Sequence, residues 1–189
     1  MISAILLAAG QSKRMKGENK LVKKIKGIPL IKHSVKNILT SPIGELIIVL
    51  GYQKEIIKKL INDHEKIKFV FNKNFENGIA SSIIVGLNHL SKNTESFFIC
   101  LGDMPNVNPE IYNKLIQSQN NNEIIIPTYK GQQGNPILFS KSAKDILMNV
   151  KGDIGAKKIL QENREKVFNF EIDNDSILKN YNTLDSFKN

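Results

Sequence analysis

The sequence predicts an α/β protein: a mainly parallel β-sheet covered by helices on both faces, three layers in all. Two observations carry this prediction. Apolar runs of strand length recur along the chain without the polar alternation of a half-exposed strand, as expected where both faces of a sheet are buried. Between them lie segments whose apolar residues recur at helical spacing, the alternation that yields parallel strands joined by crossover helices. With 189 residues, 41% of them hydrophobic, the chain can fill one sizeable core, so a single domain over residues 1–189 is expected.

Each element has its own signal. Ser3 to Ala8 is the first apolar run. In "GIPLIKHSVKNIL", Pro29 stands near a helix start, and Leu30, Ile31, Val35, Ile38 and Leu39 fall on one side. "ELIIVLG" reads as a buried strand, and "QKEIIKKLIND" as a helix with the stripe Ile56, Ile57, Leu60 and Ile61. "IKFVFN" is the next strand, followed by the helix "ASSIIVGLNHL" with Ile79, Ile83, Leu87 and Leu90 at helical spacing. "SFFICLGD", "PEIYNKLIQS", "NEIIIP" and "NPILFS" continue the alternation, and "GDIGAK" opens a further helix. No repeat or linker interrupts it; "SQNNNE" is a polar loop.

Composition narrows the class of partner. The formal charge is +9, yet the lysines are spread along the whole chain, with no run of five cations and no aromatic interleaving. That argues against nucleic acid and for anionic small molecules. The lone Cys100 lies inside "SFFICLGD" and reads as a buried strand residue; one thiol forms no intramolecular disulfide, as suits a reducing compartment. No run has transmembrane length and no leader pattern is present, so a cytoplasmic protein without a membrane partner is expected. His33, His64 and His89 match no zinc spacing. Met15 and Met104 suit core packing and site lining equally.

In a parallel sheet, ligands gather beyond the carboxyl ends of the strands. The stretch "LLAAGQSKRMKGENK" stands at the end of the first strand. Ala8, Ala9 and Gly10 carry no bulk there, so an anion can approach the backbone N–H groups of the turn. Arg14 and Lys20 add positive charge, while Lys13 and Lys16 read as solvated neighbours. The stretch matches neither the Walker A loop nor the G-x-G-x-x-G loop. It reads as a polyphosphate cradle; an ordinary strand-to-helix connection with solvated cations fits the chemistry equally well. A second signal is "CLGDMP", which puts Asp103 just beyond an apolar strand at the same sheet edge. A carboxylate beside phosphates suits Mg²⁺, and a turn or cap aspartate is the alternative.

Taken together, "LAAGQSKRMKGENK", "NGIASSI", "LGDMP", "GQQGNPILF" and "GDIGAK" occur in an order that resembles the molybdenum cofactor cytidylyltransferases of the MocA type, within the MobA-like NTP transferases. The resemblance runs from Ser3 to Phe187. It implies a Rossmann-like sheet of the nucleotide-diphospho-sugar transferase type and transfer of CMP from CTP to a molybdopterin-type cofactor, with release of pyrophosphate. A molybdenum hydroxylase apoenzyme is then a candidate recipient of the product. Ala9 stands where related guanylyltransferases carry glycine, which favours CTP. The implied catalytic residues are Arg14, Lys20 and Asp103. The implied nucleotide-binding set is Leu7, Ala8, Ala9, Gly10, Arg14, Lys20, Asn77, Gly78, Ser82 and Gly102, with Ser82, in the "ASS" turn, at the cytosine.

On the acceptor side, "GQQGNP", Gly131 to Pro136, reads as a flexible turn before a strand that faces the acceptor through Gly134, Asn135 and Pro136, and "GDIGAK" adds Asp153 and Lys157 towards the anionic substrate. A plain hairpin suits the first three, and helix capping suits Asp153. The implied metal is Mg²⁺ (or Mn²⁺), held by Asp103 and Asn182. Two departures stand out. The family tends to end with D-x-D-T-P-x-D, whereas this chain has "NYNTLDSF", with Asn180 and Asn182 in the first two aspartate places. Lys16 replaces the glycine that usually follows Met15. The C-terminal asparagines leave open a non-catalytic nucleotide-binding accessory protein of molybdoenzyme maturation, and the generic acceptor loops leave open transfer to another small phosphorylated acceptor.

Overall fold

The computed structural model describes residues 1–15, 18–149 and 157–187; the side chains of residues 14, 157–159 and 184–185 are not among the described atoms. At its centre β1 (Ile2–Ala8) lies parallel to β4 (Glu45–Leu50) on one side and to β6 (Ser96–Leu101) on the other. The registers run from Ser3↔Glu45 to Ala8↔Leu50 and from Ile2↔Ser96 to Leu7↔Leu101, so the three strands end together. Parallel to β4 lies the edge strand β5 (Ile67–Phe71). Beyond β6 come β9 (Ile137–Ser140), β7 (Ile124–Tyr129) and β10 (Val167–Glu171), giving the order β10-β7-β9-β6-β1-β4-β5.

The expectation of a mainly parallel sheet holds, with β9 and a two-residue strand on β7 reversed. β9 runs antiparallel to both neighbours, and the chain between it and β7 explains why. Only seven residues separate Tyr129 from Ile137, too few for a crossover, which needs a dozen or more. The chain instead turns at Lys130 and Gly131, with φ of 49° and 76°, and pairs β8 (Gln132–Gln133) back onto β7. Two consecutive positive φ values give the hairpin turn that matches strand twist. The flexible turn expected at "GQQGNP" is therefore an ordered hairpin followed by a clamp. Gly134 donates its N–H to Pro127 O at 2.8 Å, Asn135 donates to Ile177 O at 3.0 Å, and the Asn135–Pro136 bond is cis.

Side chains alternate between the two faces of the sheet, and each face has its own core. Ala4, Leu6, Ile48 and Phe98 face α1 (Leu30–Leu39), α2 (Lys54–Leu60) and α4 (Pro109–Gln117), meeting Leu30, Ile38, Ile57 and Leu115. Ile5, Ile47, Phe97 and Phe139 face α3 (Ile79–Asn88), α5 (Lys144–Met148) and α6 (Lys157–Glu162), meeting Ile83, Leu87, Leu147 and Leu160. Phe97 stacks on Phe139 with centroids 5.5 Å apart, and Phe98 meets Tyr112 edge-on at 5.1 Å. α4 starts as its sequence demands: the Asn108 side chain accepts from Ile111 N at 3.1 Å, and Pro109 sits at the first turn.

Three details differ from the sequence reading. α2 is a helix of only seven residues that turns a single narrow face to the sheet, with Ile57 buried and Ile56 exposed. α3 stops at Asn88, which leaves Leu90 beyond the helix. A small hairpin of β2 (Lys24–Ile25) and β3 (Ile28–Pro29), turning at Lys26 and Gly27 with positive φ, precedes α1 and carries no long apolar run to announce it. Among the described residues no helix is long and apolar enough to cross a membrane.

Candidate active site

A cavity of about 350 Å³ opens at the carboxyl ends of β1 and β6. Its floor is Leu7 to Gln11 and Leu101 to Asp103, and its walls come from Lys13, Lys20 and Leu21 on one side and Phe75, Glu76, Gly78, Ile79 and Ser82 on the other. The common end point of β1 and β6 is locked by Gly102 N donating to Leu7 O at 3.1 Å, while Ser34 donates to Gly102 O at 3.0 Å. Leu7, Ala8, Ala9, Gly10, Lys20, Gly78, Ser82, Gly102 and Asp103 all meet here.

The first loop is open where the sequence is smallest. A Cβ built on Gly10 would meet no protein atom within 4 Å, so packing does not require glycine there. Among the described residues the N–H groups of Gly10, Gln11 and Ser12 have no acceptor. Ser12, at φ 53°, turns the chain into a 3-10 turn over Lys13–Met15, and Met15 N donates to Ser12 O at 2.7 Å. Met15, 1% exposed, anchors this turn in the core, and Met104 is likewise buried. Ser12 Oγ also accepts from Lys20 N at 3.1 Å, which ties the two halves of the loop together. Lys13, read from sequence as a solvated neighbour, lines the cavity. The Arg14 side chain, Lys16 and Gly17 lie outside the described residues.

Asp103, only 6% exposed, stands two residues past the end of β6. Its Oδ2 lies 2.5 Å from Lys20 Nζ, and the same ammonium donates to Asn182 Oδ1 at 2.8 Å. Tyr181 N donates to the Asp103 carbonyl at 3.0 Å, so the C-terminal segment is fastened to the same point. Three residues distant in sequence thus form one cluster: a buried carboxylate and an amide oxygen, both facing a single cation. The donor set fits a hard divalent cation that takes few protein oxygens and completes its shell with water and phosphate. Among the described residues no group of three or more His, Cys, Asp or Glu side chains could hold a metal without such help.

Ser82 is the fourth residue of α3, rather than part of a turn. Asn72, which the sequence reading did not single out, fixes it: Asn72 Nδ2 donates to Ser82 Oγ at 3.0 Å and to Ser81 Oγ at 2.8 Å, while Asn72 Oδ1 accepts from Asn74 N. Accepting from Asn72 leaves the Ser82 hydroxyl proton free to be donated. Asn77 is exposed and lies outside the cavity lining. Across the mouth, Gln11 Nε2 donates to Glu76 Oε1 at 3.0 Å and joins the first loop to the opposite wall.

Gly134, Asn135 and Pro136 are not brought to this cavity. Gly134 is packed against the 3-10 turn Asp175–Ile177, where a Cβ would come within 2.4 Å of the Ile177 carbonyl oxygen. Asp153 lies outside the described residues, as does the side chain of Lys157, whose backbone begins α6.

Residues 4–167 match the family model described as the MobA-like NTP transferase domain. The chain belongs to that family. MobA-like NTP transferases are nucleotidyltransferases, and the mostly parallel sheet flanked by helices is the nucleotide-diphospho-sugar transferase fold. The molybdenum cofactor cytidylyltransferase of Escherichia coli is 31% identical over 140 residues, covering 74% of this chain and 70% of that protein. The bifunctional protein GlmU of Caldicellulosiruptor saccharolyticus is 26% identical over 163 residues, which are 85% of this chain. This chain spans only 35% of that GlmU's length. Among solved structures, Rv0371c from Mycobacterium tuberculosis superposes with a TM-score of 0.88 at 24% identity, covering 99% of this chain and 95% of that one. The same mycobacterial protein has been solved in complex with manganese, with a TM-score of 0.77 at 22% identity over 92% of this chain and 89% of that one.

Proposed function

We propose that the protein transfers CMP from CTP to the terminal phosphate of a molybdopterin-type cofactor and releases pyrophosphate. The observation that carries this reading is the convergence of three distant segments on one cavity: the first loop with its open Gly10 and its Lys20 ammonium, the buried Asp103, and the fixed hydroxyl of Ser82. Ala9 and the 31% identity to the E. coli cytidylyltransferase support CTP and the molybdopterin-type acceptor.

The charge of the reactants sets the mechanism. A terminal phosphate oxygen of the acceptor is anionic near neutral pH and attacks the α-phosphorus of CTP. A new P–O bond forms as the α–β phosphoanhydride breaks, and pyrophosphate leaves with the electron pair. No proton is removed from the nucleophile, so no general base is needed. The protein's share is alignment and the neutralisation of developing charge. In this reading the Gly10–Ser12 N–H groups and the Lys20 ammonium receive the triphosphate, with Arg14 beside them. Asp103 and Asn182 would hold Mg²⁺ or Mn²⁺, which when bound supplies positive charge to the phosphate oxygens. The manganese complex of the mycobacterial fold relative supports a divalent ion. Ser82 offers its hydroxyl proton to a cytosine acceptor, with Gly78 and Asn77 along the same edge. Gly134, Asn135, Pro136, Asp153 and Lys157 are assigned to the acceptor side.

The matches to GlmU favour a second reading, in which the acceptor is another small phosphorylated molecule. Pyrophosphate release across CTP, GTP, UTP and ATP, each with a molybdopterin-type cofactor or a sugar phosphate, separates the two. Release with CTP and the molybdopterin-type cofactor is expected. Release with a sugar phosphate alone transfers the activity to the second reading, and tighter calorimetric binding of GTP than CTP overturns the base assignment.

A further inference from the structure

The two oxygens assigned to a metal, Asp103 Oδ2 and Asn182 Oδ1, are both already taken by the Lys20 ammonium, at 2.5 and 2.8 Å. That ammonium is also the group assigned to the triphosphate, and it lines the cavity. One cation therefore answers to two positions. We propose that Lys20 is a transferable counterion: in the free protein it fills the metal position between Asp103 and Asn182, and it passes to the triphosphate when nucleotide binds, so that metal and nucleotide enter together and metal alone binds weakly. This inference rests on the nucleotidyltransferase reading above.

Charge counting gives the reason. With asparagine at 182, the cluster carries one formal negative charge, on Asp103, and a single lysine neutralises it. A carboxylate 6% exposed is costly to leave unpaired, so the ammonium is held against it until a divalent ion takes its place. A divalent ion arriving alone must displace the ammonium yet keep it as a near neighbour, and two cations a few ångströms apart in a partly buried site repel strongly. A triphosphate arriving alone would draw the ammonium away and leave Asp103 unpaired beside an anion. Both penalties vanish when the two arrive together. The loop is built for the exchange without backbone movement: Lys20 N is pinned to Ser12 Oγ at 3.1 Å, beside the open Gly10–Ser12 backbone, so rotation of a long, flexible side chain is enough. Thermodynamic linkage then requires each ligand to tighten the other by the same factor.

Mn²⁺ titration followed by electron paramagnetic resonance, without nucleotide, tests this on the full chain. Lys20→Met is expected to bind Mn²⁺ about tenfold more tightly than wild type while binding CTP about tenfold more weakly. Opposite signs for one substitution are not what a merely structural lysine would give, since that loss weakens both ligands or neither. Lys20→Gln, which keeps a polar tip, is expected to move both affinities in the same directions and serves if the methionine variant does not fold. In wild type, CTP should tighten Mn²⁺ binding by about tenfold. Unchanged or weaker Mn²⁺ binding in the Lys20 variants, with CTP binding to wild type intact, overturns the counterion role alone. If wild type binds no CTP in the presence of Mn²⁺, the nucleotidyltransferase reading falls and this inference with it.

Discussion

Gly10 and Gly134 both sit in short loops beyond strand ends, and their surroundings are opposite. A side chain at Gly10 would project into open space beside the cavity, whereas one at Gly134 would strike the Ile177 carbonyl oxygen at 2.4 Å. Among the described residues the first loop leaves the Gly10–Ser12 backbone N–H groups without partners; the second spends its N–H groups on Pro127 and Ile177. Small residues in a motif can thus serve an incoming ligand or the packing of the chain on itself, and only the neighbours tell which. The region around β1 and β6 is arranged for a ligand, and the region around β7 to β9 is closed by its own C-terminal segment.

The largest effect expected from this contrast lies in the open region. Asp103→Asn keeps the shape of the side chain and removes its charge, and pyrophosphate release should fall on the order of 10²-fold or more, as for loss of other preorganised charge stabilisers. The complementary change, Asn182→Asp, should tighten metal binding; an unchanged metal response would leave residues 180–182 with a structural role only. In the closed region the effect should be on stability. Gly134→Ala forces the Asp175–Ile177 turn to move and should cost about 1–3 kcal/mol in urea unfolding, the usual range for overpacking. Turnover lost beyond what the loss of stability accounts for would support the acceptor role proposed for this loop.

Gly10→Ala is the counterpart, with a smaller expected consequence. Melting should stay unchanged within about 0.5 kcal/mol, while CTP affinity drops by roughly tenfold because the added methyl occupies the approach to the backbone. A loss of stability without a loss of affinity would erase the contrast between the two loops. The smallest effect is at Cys100, in the strand both regions share. Burial pushes its thiol up to about 12, so the folded protein keeps a proton that the unfolded chain loses near its ordinary value of 9.0. The folded state then binds more protons, and stability from this group, intact below the unfolded value, declines as pH rises from there towards 12. Between pH 7 and pH 9.5 wild type should lose about 1 kcal/mol more than Cys100→Ala.

The same contrast explains what could be read from the sequence. β1, β4 and β6 are apolar on both faces, so their runs announce themselves, and the small residues after β1 mark the open loop. β10 is half exposed along its length, so no continuous apolar run announces it beyond "NPILFS". The reversal of β9 follows from a loop length whose meaning depends on knowing that Gln132 and Gln133 pair back onto β7. In the site, Asp103 and Lys20 were visible as residue types, but their ion pair joins positions 83 apart, and no local spacing encodes it. Asn72 was invisible for a related reason. A single asparagine after a strand looks like a turn residue until α3 brings Ser81 and Ser82 to its amide.

A crystal structure with CTP and Mn²⁺ bound tests most directly the claim that the open region is the nucleotide site. The triphosphate is predicted to lie against the Gly10–Ser12 backbone with Lys20 turned away from Asn182 towards it, Mn²⁺ on Asp103, and the cytosine beside Ser82. Nucleotide found instead in the larger groove of about 690 Å³ between α1 and residues 61–64, with the Lys20–Asp103 ion pair intact, would contradict the account.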